Sequence, residues 1–201
     1  MMMKKPSARC RLLETASKLF FRKGYTEVGI DEIIEQSETA KATFYRHFPS
    51  KELLVEAWLM AIHEGAEDRQ KLILESEGCP VGKIADSFDA LMDYMTRHDF
   101  RGCPYSNSCA VTGPGKELIR KQIEVHKESS RRFYRQLCSL FVGDENGSAI
   151  LGDRIFLLYS GATTEAQNLR DTWPVRVAKE AVLELCDLAA GGKSCDCHQY
   201  N

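Results

Sequence analysis

"SETAKATFYRHFPSKELL", residues 37–54, sets two phenylalanines, a tyrosine and several ionisable groups among small residues, and it is interrupted at Pro49. Wound at about 100° per residue, Ala40, Phe44 and Phe48 fall on one face. Lys41, Ala42, Tyr45 and Arg46 fall on the opposite face, with Thr43 and His47 at a border. The phenylalanine face suits a core. The other face carries two cations and a tyrosine around a small alanine that permits close approach. Pro49 ends this helix at Phe48, because the residue before a proline is pushed out of the α region. Ser50 caps the next helix, from Lys51. A helix this short barely holds itself together, so residues 40–48 must dock on neighbours.

The neighbours lie just upstream. Leu12, Ala16, Leu19 and Phe20 form one stripe of a helix that Ser7 caps and Gly24 closes. Ile30, Ile33 and Ile34 mark a short second helix, with Gly29 at its cap. Residues 1–51 hold ten Lys or Arg and six Asp or Glu, a net +4. The whole chain of 201 residues is −2, so the remainder carries −6. A basic end on an acidic body implies an anionic partner for the first quarter. Three short helices with a tight third one, on a basic segment, match the helix-turn-helix plan, whose final helix enters the DNA major groove. Lys and Arg suit guanine O6 and N7, Tyr donates to phosphate, and Thr reaches a phosphate or a thymine methyl. Lys51 stands in the first turn of a helix, where a cation opposes the macrodipole. That placement makes sense if a phosphate is held there by the free N–H groups and the ammonium together.

Residues 12–54, centred on "LFFRKGYTEVGIDEIIEQSETAKATFYRHFPSKELL", resemble the DNA-binding domain of the TetR/AcrR family of repressors. The resemblance is carried by Phe20, Gly24, Tyr25, Ile30, Ile33, Lys41, Thr43, Tyr45, Phe48, Ser50, Lys51 and Leu53. It implies a supporting helix at Ile30–Ser37 and a recognition helix at Ala40–His47. Lys41, Ala42, Thr43, Tyr45, Arg46 and Lys51 then meet DNA. Glu38 and Ala40 stand where family members often carry Gly and Ser, so Thr39 is expected to take over the cap. Val28 and Gly29 stand where Thr or Ser is frequent, which puts a phosphate contact there in doubt.

Nothing reads as a strand, and the expected fold is all-α. An N-terminal helix-turn-helix domain (1–52, motif about 29–48) precedes a larger ligand-binding and dimerisation domain (53–192) and a flexible tail (193–201). A long helix runs from Lys51 to Glu75. Breaks follow at Gly78–Gly82, at Asp99–Pro104, at Gly113–Gly115 and at Gly143–Gly147. Between them, Ile84, Phe88, Leu91 and Met95 mark one helix. Ile119, Ile123, His126, Ser130, Phe133, Leu137 and Leu140 mark another. The helices from Ser148 to Arg170 and from Pro174 to Gly191 are apolar on more than one face and rich in small residues. They are the expected homodimer interface. The family's larger domain encloses a small-molecule effector. Candidate lining residues are Phe88, Met92, Met95, Cys103, Tyr105, Asn107, His126 and Ser130, an apolar set with a few polar groups.

A hydrophobic content of 43% and a charged content of 28% are those of a globular protein. No apolar run is long enough for a membrane span. The start, MMMKKPSARC, lacks a signal-peptide apolar segment, so a cytoplasmic protein with reduced thiols among its eight cysteines is expected. No G-x-S-x-G, H-E-x-x-H or phosphate-cradling loop is present, and neither an enzyme nor a cofactor is expected. The alternative reading is a thiol- or metal-responsive regulator. It rests on the cysteines and on Cys195-x-Cys197-His198, whose spacing is short for zinc.

Overall fold

The computed structural model describes residues 6–191. Among them it contains nine α-helices and no strand: α1 Ala8–Lys23, α2 Ile30–Gln36, α3 Lys41–His47, α4 Lys51–Glu75, α5 Pro80–Arg97, α6 Pro104–Val111, α7 Glu117–Ser139, α8 Glu145–Leu169 and α9 Trp173–Ala189. The all-α expectation is met. The expected tail, with its Cys195-x-Cys197-His198 run, lies outside the described residues.

Two compact units result. The first draws its described residues from Met1–Gly65 and Pro104–His126, the second from Ala66–Cys103 and Lys127–Asn201. In the first, Ser7 caps α1 by accepting from the Cys10 amide at 3.2 Å. Gly24 ends α1 at φ +83, a backbone conformation that an L side chain resists. Leu12, Ala16, Leu19 and Phe20 are all buried. Ile33 of α2, Phe44 and Phe48 of the α3 region, and Leu54, Trp58 and Leu59 of α4 are buried as well, and α1, α2 and α3 pack on one another. The Phe20 ring stands edge-on to Trp58 at 5.3 Å. Tyr105 of α6 is buried too, and its hydroxyl donates to the Leu59 carbonyl at 2.8 Å.

The second unit is built on α5, α8 and α9. Phe88 and Met95 of α5, Phe133 and Leu137 of α7, Leu151 and Ile155 of α8, and Val175 and Val182 of α9 form its core. Lys83 is buried and donates to the Ser76 carbonyl at 2.6 Å and the Leu74 carbonyl at 3.5 Å. An ammonium thus satisfies carbonyls that the end of α4 leaves unpaired. Helices α7 and α8 approach very closely at Gly152, where an added Cβ would lie 2.6 Å from the Arg135 backbone. Beside that contact the guanidinium groups of Arg131 and Arg135 both fork onto Asp153, at 2.7–2.8 Å. Hydrogen bonds from Arg131 and then Arg135 hold the Asp153 carboxyl well below the usual carboxylate range.

Three breaks differ from the sequence expectation. The one at Gly78–Gly82 is shorter, because Pro80 opens α5 and Gly82 lies within it; proline's fixed φ suits the first helical turn. The turn expected at Gly143–Gly147 is the first turn of α8: Asp144 is its cap, accepting from the Gly147 amide at 2.5 Å. Residues after the Asp99–Pro104 break, where the sequence carries no helix signal, form α6.

Three outcomes test this arrangement. Gly152→Val should lose about 2 kcal/mol in urea unfolding through overpacking against backbone. Gly82→Ala, in ordinary contact only, should gain about 0.5–1 kcal/mol. The Asp153 contribution is present above the ordinary carboxylate pKa and is lost as pH falls toward its depressed folded value. The melting-temperature gap between wild type and Asp153→Asn should therefore be full at neutral pH and shrink below about pH 4.

Candidate nucleic-acid interface

Phe44 and Phe48 are buried, and their ring centroids lie 6.3 Å apart. They pin the inner face of α3 to the core. The Arg9 guanidinium lies over the Phe48 ring at 5.4 Å, a cation–π contact that ties α1 to the end of α3. Outward, Lys41, Ala42 and Arg46 are exposed and Tyr45 is 43% exposed. Thr43 is half-buried at the border. Sequence periodicity therefore placed both faces of α3, with one exception: Ala40 is exposed, because it is the N-cap and has left the helical path.

The cap differs as well. No side chain caps α3. Thr39 is instead hydrogen-bonded to the Ser37 hydroxyl at 2.8 Å. Glu38, between them, has φ +50, a left-handed conformation that Gly adopts without cost. That is the physical reason a glycine suits this turn.

The cations around α3 are partly engaged. Lys41 donates to Asp31 of α2 at 3.3 Å across an exposed pair, which is weak in water. Lys51 donates to the Thr26 carbonyl at 3.2 Å, so its ammonium ties the α1–α2 loop to the start of α4. Burial draws the Lys51 pKa down; Glu27 opposes this and Lys116 adds to it. Lys116 itself pairs with Glu52 at 3.2 Å. The α1–α2 loop is held from a second side. The Thr112 hydroxyl donates to the Ser108 carbonyl at 2.6 Å, leaving it to accept from the buried Tyr25 hydroxyl at 3.1 Å. Sequence reasoning missed Thr112, since a lone threonine in a Gly-Pro-Gly neighbourhood carries no signal for a contact 87 residues away.

The eight effector-pocket candidates divide between the units. Tyr105, Asn107 and His126 belong to the first. There the Tyr105 ring stacks on His126 at 3.6 Å, and His63 meets His126 edge-on at 5.8 Å. Phe88, Met92, Met95, Cys103 and Ser130 belong to the second. Phe88 and Met95 are fully buried in its core, and Met92 packs against that core. Cys103 accepts from the Lys127 ammonium at 3.8 Å. Ser130 is half-buried; its neighbour Ser129 is buried and donates to Glu67 at 3.2 Å and Gln70 at 3.4 Å. The second unit also holds three tyrosines whose hydroxyls burial pushes upward: Tyr94 to about 12, Tyr134 and Tyr159 further.

On the outside of α8 and α9, Leu157 (67% exposed), Trp173 (45%) and Val177 (51%) stand in water. They line an open groove with Gly161 and Ala181, where Glu165 is the one charged residue.

Cysteine and metal chemistry gain no support from the geometry. Among the described residues no group of three His, Cys, Asp or Glu is arranged to hold a metal ion. Burial pushes the Cys138 and Cys186 thiols up to about 12, which suppresses the reactive thiolate. Cys10, Cys103, Cys109, Cys138 and Cys186 are free thiols.

A three-helix core presenting one short, basic helix face defines a helix-turn-helix DNA-binding transcriptional regulator. The family model described as bacterial regulatory proteins, tetR family, matches residues 12–58, and the chain belongs to that family. The transcriptional repressor DhaR of Mycobacterium sp. (strain GP1) is 24% identical over 182 residues, covering 86% of this chain and 89% of its own. The regulator YuxN of Bacillus subtilis (strain 168) is 44% identical over 148 residues, but the chain spans only 50% of its length. Among solved structures, the TetR-family regulator SCO4454 of Streptomyces coelicolor superposes with a TM-score of 0.76 at 25% identity, covering 92% of this chain and 95% of its own. No helix among the described residues is long and apolar enough to cross a membrane.

At pH 8 a soluble alkylating reagent followed by mass spectrometry should label exposed Cys10 and Cys109 first. Cys138 and Cys186 should react only after denaturation.

Proposed function

We propose that this protein is a ligand-responsive repressor that binds a palindromic operator as a homodimer and leaves it when a small-molecule effector is bound. The single observation that carries the reading is the face of α3: Lys41, Ala42, Tyr45 and Arg46 stand in solvent on a helix whose other side is locked by two phenylalanines. Arg46 is suited to a guanine edge. Lys41 is released from a weak surface pair, and Ala42 lets the helix approach base methyls. Thr43 and Tyr45 reach phosphates. Lys51, at the first turn of α4, adds its charge to the helix N-terminus where a phosphate can sit.

The second copy is supported by the exposed apolar face of α8 and α9. Leu157, Trp173 and Val177 are costly in water and complementary to the same surface on a twofold mate. Such a dimer carries two recognition helices, suited to successive major grooves about 34 Å apart. On this reading residues 1–52 serve DNA, and residues 53–192 serve the effector and the dimer. Within the second unit, Phe88, Met92 and Met95 offer an adaptable apolar lining for the effector, and Cys103 and Ser130 offer polar groups. The protein works in the cytoplasm. The effector acts by binding better to a dimer whose recognition helices no longer match the operator. Moving that equilibrium from 1:99 to 99:1 takes about 5.5 kcal/mol of differential binding.

Selection of bound genomic fragments should return sites with twofold symmetry. On such a site Arg46→Ala should cost about 1–3 kcal/mol and relax preference at one base pair. Lys51→Ala should weaken all sequences alike and lower the salt slope by about one. Val177→Glu should give a monomer by sedimentation. Unchanged affinity in both DNA variants, or a Val177→Glu protein that remains dimeric, contradicts the corresponding half of the proposal.

A further inference from the structure

The α2–α3 turn is the joint on which α3 hangs, and the sequence equips it poorly. It has neither a side-chain N-cap on α3 nor a glycine at its left-handed residue, Glu38. One side chain from another helix braces the carbonyls of this turn. Arg11 of α1 donates through Nε to the Ser37 carbonyl at 3.2 Å and through Nη2 to the Glu38 carbonyl at 3.4 Å, and its Nη1 donates to the Pro6 carbonyl at 3.0 Å. Ser37 is the C-cap of α2. Its carbonyl and that of Glu38 fall where a helix end leaves acceptors without intrahelical partners. A cation there also suits the negative end of the helix dipole. The planar fork of a guanidinium fits two adjacent carbonyls as an ammonium cannot. Around it the turn is knitted locally: the Ser37 hydroxyl donates to the Ile34 carbonyl at 3.2 Å, and the Thr39 amide reaches the same carbonyl at 3.2 Å.

We propose that Arg11 is a positioning residue for the recognition helix: its guanidinium clamps the Ser37 and Glu38 carbonyls, holds Glu38 left-handed and thereby fixes the angle between α2 and α3, without touching DNA itself. This rests on the reading of α3 as the recognition helix. Arg11 adds a determinant of DNA affinity that lies on α1, off the reading face.

The clamp makes a distinctive prediction, because its loss should be repaired at Glu38. Arg11→Ala should weaken operator binding about tenfold, the effect of losing charged hydrogen bonds worth about 1.4 kcal/mol in net terms. It should compress the gap between operator and unrelated DNA, and leave the salt slope at its wild-type value, since no phosphate contact is lost. Arg11→Lys should fall between. The double variant Arg11→Ala/Glu38→Gly should recover most of the affinity, because glycine holds the left-handed turn unaided. Hydrogen exchange at the Thr39 and Ala40 amides, measured on the 201-residue chain without DNA, should speed up in Arg11→Ala and slow again in the double variant. If Arg11→Ala does not fold, Arg11→Lys with and without Glu38→Gly gives the same comparison. Wild-type affinity and exchange in Arg11→Ala, a salt slope reduced by about one, or no recovery in the double variant overturns the inference. Arg46→Ala run in parallel separates the two failures: weakened Arg46→Ala with normal Arg11→Ala removes the clamp alone. Normal binding in Arg46→Ala removes the recognition role of α3, and the inference with it.

Discussion

A seven-residue helix cannot stand alone in water, and in this protein α3 is secured by the burial of Phe44 and Phe48. Everything the first unit offers to a partner depends on that anchoring. The two rings fix the rotation of α3 about its own axis. Helical periodicity then leaves Lys41, Ala42, Tyr45 and Arg46 no option but solvent. The same core, through Phe20, Trp58 and Leu59, joins α3's support to α4, so rotation of α3 is coupled to the packing of a much longer helix.

Polar contacts refine what the core sets. Lys51 ties the α1–α2 loop to α4 through the Thr26 carbonyl. Tyr25 and Thr112 tie the same loop to the segment after α6. Arg11 does the equivalent for the α2–α3 turn. In each case a side chain from one element satisfies or fixes a group in a loop or turn of another. These short links between helices convert a compact bundle into one of defined geometry, and defined geometry is what reading a base edge requires.

The second unit solves a different problem. Its helices are longer, and its core is a broad apolar layer contributed by α5, α7, α8 and α9. Where α7 and α8 approach at Gly152, apolar burial is joined by the paired arginines on Asp153. The apolar residues left outside, on α8 and α9, are continuous with that layer in character but not in burial. Under the reading proposed above, a second copy completes them.

Much of this was legible in the residues. The bounds of α1 and α4 and the two faces of α3 followed from periodicity, Ser and Gly caps and one proline. These are local signals, each confined to a few residues. The missed features were of two kinds. Asp144 as a cap and Pro80 inside α5 were local but ambiguous, because glycines at 82 and 147 read as breakers while the surrounding packing tolerates them as helix. The contacts of Arg11, Ser129 and Thr112 were not local. A polar residue on a helix surface looks the same in sequence whether it faces water or a carbonyl of another element. Chain order by itself determined that these helices form and which stripe of each is greasy. Only the tertiary arrangement decided which polar groups meet across the folded chain, since that depends on distances between residues far apart in the sequence.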